Sequence, residues 1–268
     1  MYPVFYIPFN FGLNDLDVET RRLLGALEIR ELTEKDIVTT PFLGITLKNN
    51  RIYSTDLLTS WPMALKEEHF YFCFDRQKWS SYLDGNRPKK NEPFGKSLNL
   101  KKYSYQVIDA TSGTGRDSLH LARLGAKVYA FERFKLSYLL LKDAQRVCLE
   151  TNTEFKWINN INLHYGDVCD QQNDFTGIPL YYDPMYSANI HKQKSLPKKE
   201  MVYFQNLHSS SDDNEAFFTK ASKLNLSRII FKRPLKEVVF NHPLWTFNNS
   251  FKGATTRYDL YLLKKEES

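Results

Sequence analysis

The sequence predicts an α/β protein: a mostly parallel sheet with helices on both faces, finished by an antiparallel hairpin and preceded by a smaller N-terminal domain. Three observations carry this prediction. From residue 106 onward, short apolar runs alternate with longer amphipathic stretches, the pattern of strands joined by crossover helices. The first strand-to-helix junction, IDATSGTGRD at residues 108–117, places two glycines where the chain must turn sharply. The tail carries two strand-like runs joined through Gly253, as in a hairpin.

Taken in order, QVIDA is a short apolar run and the first candidate strand. RDSLHLARLG sets Leu119, Ala122 and Leu124 at roughly helical spacing, and Gly125 fits the end of that helix. KVYAFE, residues 127–132, alternates like a strand and ends on an acid. FKLSYLLLKDAQRVCLE is long enough for a helix. INLHYGD and IPLYYDP read as two further strands, EAFFTKASKL as a helix and SRIIFKRP as a strand. LWTFNNSFK and TRYDLYLLK complete the hairpin. Right-handed crossovers follow for the parallel part. Residues 1–105 read differently, with few glycines and many aromatics, as in HFYFCF at 69–74. The polar, basic run DGNRPKKNEPFGKSLNLKK, residues 84–102, is expected to be a connection. The expected division is therefore an N-terminal domain over 1–90, with a possible role in RNA contact, and the sheet domain over 91–268.

Composition narrows the function classes. With 42% hydrophobic and 15% aromatic residues in 268, the chain can bury a large core, which argues against disorder. The formal net charge of +6 is a modest excess that suits a polyanionic partner. Three cysteines without C-x-x-C spacing and six scattered histidines imply neither a disulfide framework nor a metal site. No apolar run is long enough to span a bilayer. The aromatic start, MYPVFYIPFNFGLN, lacks basic residues before its apolar part and does not read as a signal peptide. A cytoplasmic location is expected.

The glycine junction is the first candidate site. Gly113 and Gly115 allow a ligand to approach the backbone, and the following helix start offers unpaired amides. Glu132 closes the next strand about twenty residues further on, where a carboxylate can accept both hydroxyls of a ribose. A pyrophosphate requires a fuller glycine turn and no nearby acids. Here Ser118 stands at the third glycine position, and Asp109 and Asp117 flank the loop. Those acids repel a pyrophosphate and suit the cationic methionyl end of S-adenosylmethionine. Asp167, after the third strand, is placed to accept from an adenine amino group.

The second candidate site is YYDPMY, residues 181–186, at the end of the fourth strand. This is where a doubly wound sheet places its chemistry. An exocyclic amine on a base is a poor nucleophile because its lone pair is delocalised into the ring. Asp183 and the carbonyl of Pro184 can each accept a hydrogen bond from such an amine, and Tyr186 can stack on the base. A base within a helix would have to leave its stack first.

Together DATSGTGRD, FER, YYDPMY, HKQKSLPKKEMVYFQ, FKRP and RYDLY resemble the bacterial ribosomal RNA small subunit methyltransferase J family, over roughly residues 106–264. The resemblance implies a seven-stranded, Rossmann-like class I methyltransferase sheet. It implies methyl transfer from S-adenosylmethionine to the N2 amine of a guanine near the 3′ end of 16S rRNA, on the rRNA or the small subunit. It also implies cofactor contacts at Arg116, Asp117, Glu132, Arg133, Gly166, Asp167 and Asp183. The chain departs from the family pattern in the extra SANI after DPMY and in a single glycine before the first strand. Lys192, Lys194, Lys198 and Lys199 follow the second candidate site, and Lys232 and Arg233 end the fifth strand. All six are expected to face an RNA backbone on the same sheet edge. The competing readings are an amino-methyltransferase of another RNA or DNA base, an NAD-dependent oxidoreductase, and an inactive RNA-binding assembly factor with the same fold.

Overall fold

The structure is a computed structural model. It describes residues 4–6, 16, 18–30, 43–48, 51–55, 72, 74, 92–99, 105–151, 156–184 and 213–264. Near the N-terminus, β1 (Val4–Tyr6) pairs parallel with β2 (Leu43–Lys48), which forms an antiparallel pair with β3 (Arg51–Thr55). Helix α1 (Val18–Ala26) lies between β1 and β2 in the chain.

Among the described residues the main sheet has seven strands. They are β4 (Gln106–Asp109), β5 (Lys127–Glu132), β6 (Ile161–Tyr165), β7 (Pro179–Tyr182), β8 (Arg228–Pro234), β9 (Trp245–Lys252) and β10 (Thr256–Leu263). Their spatial order is β6-β5-β4-β7-β8-β10-β9. The first five are mutually parallel, and β10 runs antiparallel to both β8 and β9. This is the predicted parallel sheet with its terminal hairpin. The chain builds outward from β4 to β6, then returns to lay β7 on the other side of β4. That reversal opens a crevice at the carboxyl ends of β4 and β7.

The sheet alternates faces at a period of two. Val107, Ala130, Tyr181, Ile230 and Leu260 belong to one buried cluster, whereas their neighbours Ile108, Phe131, Leu180, Phe231 and Tyr261 belong to another. The first cluster is covered by α3 (Arg116–Arg123) and α4 (Lys135–Thr151), and the second by α5 (Asn214–Ala221), through Phe218 and Ala221. Leu24, Ile52, Phe72 and Phe74 from the N-terminal part join the first cluster, so one apolar core runs across residue 90.

The run expected to be a mere connection holds a helix. α2 (Pro93–Leu98) starts on a proline at a favourable position and ends on Asn99 in the left-handed conformation. Phe94 and Leu98 are buried, and the Phe94 ring centroid lies 4.7 Å from Tyr181 and 5.0 Å from Tyr258. Three large apolar residues in a basic run carry little local signal. Packing onto the sheet turns this segment into a helix.

Candidate active site

The site is assembled at the carboxyl ends of β4, β5 and β7. After β4 the chain turns through Gly113 (φ 53°) and Gly115 (φ 79°) into α3. Cross-strand amides tie this turn down: Ala110 donates to the Tyr181 carbonyl at 2.9 Å and Ser112 to the Phe131 carbonyl at 2.9 Å. The hydroxyl of Thr111 accepts from the Asp183 amide at 2.8 Å, linking the glycine turn to the residue after β7.

Both oxygens of Glu132 are engaged by the backbone, with Gly113 N–H at 3.0 Å and Phe134 N–H at 2.7 Å. Burial nevertheless dominates and raises its pKa from 4.5 to about 7, the two amides acting in the opposite direction. Asp109 lies lower. It is fully buried and accepts from Ser118 Oγ at 2.5 Å and from the Thr111 amide at 3.1 Å. Burial, with Asp117 adding to it, lifts its pKa from 3.8 to about 7 despite the Ser118 bond. Asp167 caps a short 3-10 turn (Val168–Asp170) by accepting from the Cys169 amide at 2.9 Å.

A cavity of about 400 Å³ collects most of the candidate cofactor residues, with Gly113, Arg116, Asp117, Glu132, Arg133, Asp167 and Asp183 lining it together with Lys232. That volume is within the range of small-molecule sites. Other predicted site residues stand outside the lining. Asp109 braces the turn from beneath, and so reaches a ligand only through the loop it holds. Gly115 faces the core, where an added Cβ would meet Leu141 at 2.9 Å and Phe74 at 3.1 Å. Gly166 (φ 115°) donates its amide to the Glu132 carbonyl at 2.9 Å. Pro184 is buried beside Asp183. Tyr186, Lys192, Lys194, Lys198 and Lys199 lie outside the described residues.

Lys232 and Arg233 require correction. Both were expected to face RNA, yet adjacent residues of a strand point to opposite faces. Lys232 turns inward. Its Nζ lies 2.8 Å from Asp183 Oδ2 and 2.9 Å from Asp117 Oδ2. Burial works against its charge, but Asp183 and Asp117 outweigh that and hold its pKa above the ordinary lysine range. Arg233 lies on the other face, buried against the Phe231 ring and paired through Nε with Glu237 at 2.8 Å.

Several contributors escaped the sequence reading. Tyr182 stacks on Phe217 with ring centroids 3.8 Å apart and planes 7° apart, and both line the cavity. The Tyr181 hydroxyl donates to Asp117 Oδ2 at 2.5 Å, and Thr111 positions Asp183. The two tyrosines precede Asp183 directly, so their alternation was a usable signal. Phe217 had none, because α5 meets β7 only in three dimensions.

The lining suits S-adenosylmethionine. Glu132, held by two amides, could accept from a ribose diol, and Asp167, in the same lining, from an adenine amine. Asp117 at the glycine turn could accept from an ammonium, and Arg116 could donate to a carboxylate. Fold and site define a class I, S-adenosylmethionine-dependent methyltransferase. A family model of SAM-dependent methyltransferases matches residues 65–263. The chain is 32% identical over 195 residues to the ribosomal RNA small subunit methyltransferase J of Bdellovibrio bacteriovorus, covering 71% of this chain and 73% of that one. It is 34% identical over 163 residues to the protein of the same name from Neisseria meningitidis serogroup B, covering 58% and 63% of the two chains. The crystal structure of a SAM-dependent methyltransferase from Neisseria gonorrhoeae superposes with a TM-score of 0.63 at 22% identity, covering 98% of each chain. The chain belongs to the ribosomal RNA small subunit methyltransferase J family. Among its described residues, no helix is long and apolar enough to cross a membrane.

Proposed function

We propose that the protein methylates the N2 amine of a guanine near the 3′ end of 16S rRNA. Its substrate is that rRNA or the small ribosomal subunit, and its site of action the cytoplasm. The observation that carries this reading is Asp183. Its carboxylate lines the same cavity as Glu132 and Asp167, at the point where the strand order reverses. The names of the relatives support rRNA as the substrate.

When bound, S-adenosylmethionine supplies an electrophilic methyl group. Gly113, Arg116, Asp117, Glu132, Arg133 and Asp167 would hold it. Asp183 accepts a hydrogen bond from the target amine, and the carbonyl of Pro184 accepts another. The two localise the nitrogen lone pair and aim it, so that most of the acceleration comes from positioning. Tyr186 stacks on the base. Lys192, Lys194, Lys198 and Lys199 provide the charge that meets the RNA backbone, with an affinity that falls steeply with salt. Residues 1–90 add RNA contact.

The test uses purified protein, radiolabelled S-adenosylmethionine and small subunits from cells lacking the corresponding gene. The expected result is label in an N2-methylguanine of the 3′ region, abolished by Asp183→Ala with cofactor binding retained. Cofactor binding without label in any subunit or rRNA would overturn the substrate assignment.

A further inference from the structure

We propose that Lys232 is a positioning residue that acts through Asp183, tying the acid that receives the target amine to the acid at the cofactor turn. The inference rests on the methyl-transfer reading above. Its basis is geometric. One ammonium lies within 3 Å of a carboxylate oxygen on each of two elements: 2.8 Å from Asp183, after β7, and 2.9 Å from Asp117, in the first turn of α3. The Lys232 side chain is only 23% exposed, which leaves little of it for a phosphate outside the cavity. Its register partner on the neighbouring strand β10 is Tyr258, and the Tyr181 hydroxyl binds the same Asp117 oxygen that Lys232 does.

Asp117 and Asp183 both act on the buried Asp109, and those two share the Lys232 ammonium. Like charges this close repel, and a single shared cation relieves the repulsion. An ammonium has three donors and no acceptor, so it can hold two carboxylate oxygens at once. By fixing Oδ2 of Asp183, Lys232 sets the direction in which the carboxylate meets an amine. An ammonium 2.8 Å away also favours the charged, hydrogen-bond-accepting form of that carboxylate. Because the same ammonium holds Asp117, the amine side and the cofactor side of the cavity share one anchor. A cationic methionyl end received at Asp117 would meet the like charge of Lys232 there, so removing Lys232 loses an anchor of Asp117 and relieves that repulsion at once. These effects on cofactor affinity oppose one another, whereas Asp183 simply loses its cation, so Asp183 is expected to be disturbed more than cofactor affinity.

The test compares Lys232→Met, Lys232→Arg, Asp183→Asn and the double variant Lys232→Met/Asp183→Asn. Lys232→Met should lower kcat about 100-fold with little change in KM for the subunit. Cofactor affinity by calorimetry should stay within about fivefold. In the Asp183→Asn background the same change should add less than about threefold, because the two residues act as one unit. Lys232→Arg should recover part of the loss. A raised KM with unchanged kcat and a weaker salt dependence of RNA binding would make Lys232 a phosphate contact and overturn the proposal. So would full, multiplicative loss in the double variant. A readout independent of turnover separates this inference from the functional one. Carbon-13 NMR of the Asp183 carboxylate should show its titration midpoint moving up by about one pH unit or more in Lys232→Met, and much less in Lys232→Arg. An unmoved midpoint overturns the proposal even if the wild type methylates rRNA. A moved midpoint sustains the Lys232–Asp183 coupling even if the wild type methylates nothing tested. If Lys232→Met does not fold, Lys232→Gln takes its place.

Discussion

Glu132 makes a prediction in which two observables change with pH in opposite directions. Its carboxylate is buried and its pKa is raised from 4.5 to about 7. In the ligand-free protein a raised carboxyl pKa contributes stability that is present below pH 4.5 and is lost as pH rises through 7, since the unfolded chain ionises this group at less cost. Binding of a ribose runs the other way. Gly113 N–H and Phe134 N–H already donate to the two oxygens, and two ribose hydroxyls bring further donors, so the occupied site requires the anion. Affinity should then rise with pH up to about 7 and level off. Adenosine is the suitable probe, because S-adenosylmethionine carries an amine that titrates nearby. At pH 5.5, about 1.5 units below the midpoint, roughly 3% of Glu132 is ionised, so affinity should be about 30-fold weaker than at pH 8. Glu132→Gln retains one acceptor and turns an amide donor toward a backbone N–H. It should weaken binding at pH 8 by about 10- to 100-fold and show no pH dependence. Asp109→Asn should keep the wild-type slope with a slightly lower midpoint, because Asp109 does not line the cavity and acts on Glu132 only as a neighbouring charge. Calorimetric titration with adenosine from pH 5.5 to 8 measures all three proteins. A flat wild-type profile, or a slope that survives in Glu132→Gln, would refute the reasoning.

Other outcomes follow from the packing around the site. Asp109 is fully buried with a pKa raised from 3.8 to about 7, so it too contributes stability present at low pH and lost as pH rises through 7. Asp109→Asn should flatten that part of the curve and be the more stable protein at pH 8, by an amount on the order of 1–4 kcal/mol in urea unfolding. Gly115→Ala combines a left-handed backbone with a Cβ that would meet Leu141 at 2.9 Å. It should cost about 1–3 kcal/mol and lower Tm in a thermal melt. Asp259 is fully buried, accepts from Arg257 Nε at 3.0 Å and from Ser250 Oγ at 2.7 Å, and backs the guanidinium that holds the carbonyls of Leu235, Glu237 and Val238. Asp259→Ala should destabilise by about 3–5 kcal/mol, and the amides of the turn after β8 should lose hydrogen-exchange protection.

The sequence by itself determined the parallel sheet, its terminal hairpin and the kind of site the sheet carries. Those features are written in local terms. Strand and helix differ in period, a glycine pair marks a sharp turn, and Glu132 and Asp183 each close an apolar run whose end is visible in the chain. What the tertiary structure alone decided depends on contacts between distant positions. A short helix forms in the basic run before β4 because Phe94 finds Tyr181 and Tyr258. Asp109 becomes a buried brace instead of a ligand contact because α3 closes over it. Lys232 was legible as a cation at a strand end, but its bond to Asp117 spans 115 residues. The alternation of β8 could have separated it from Arg233. Only the packing of α3 and β7 against β8 supplies the two acids that draw it into the site, because a side chain's partners are set by which surfaces meet on folding.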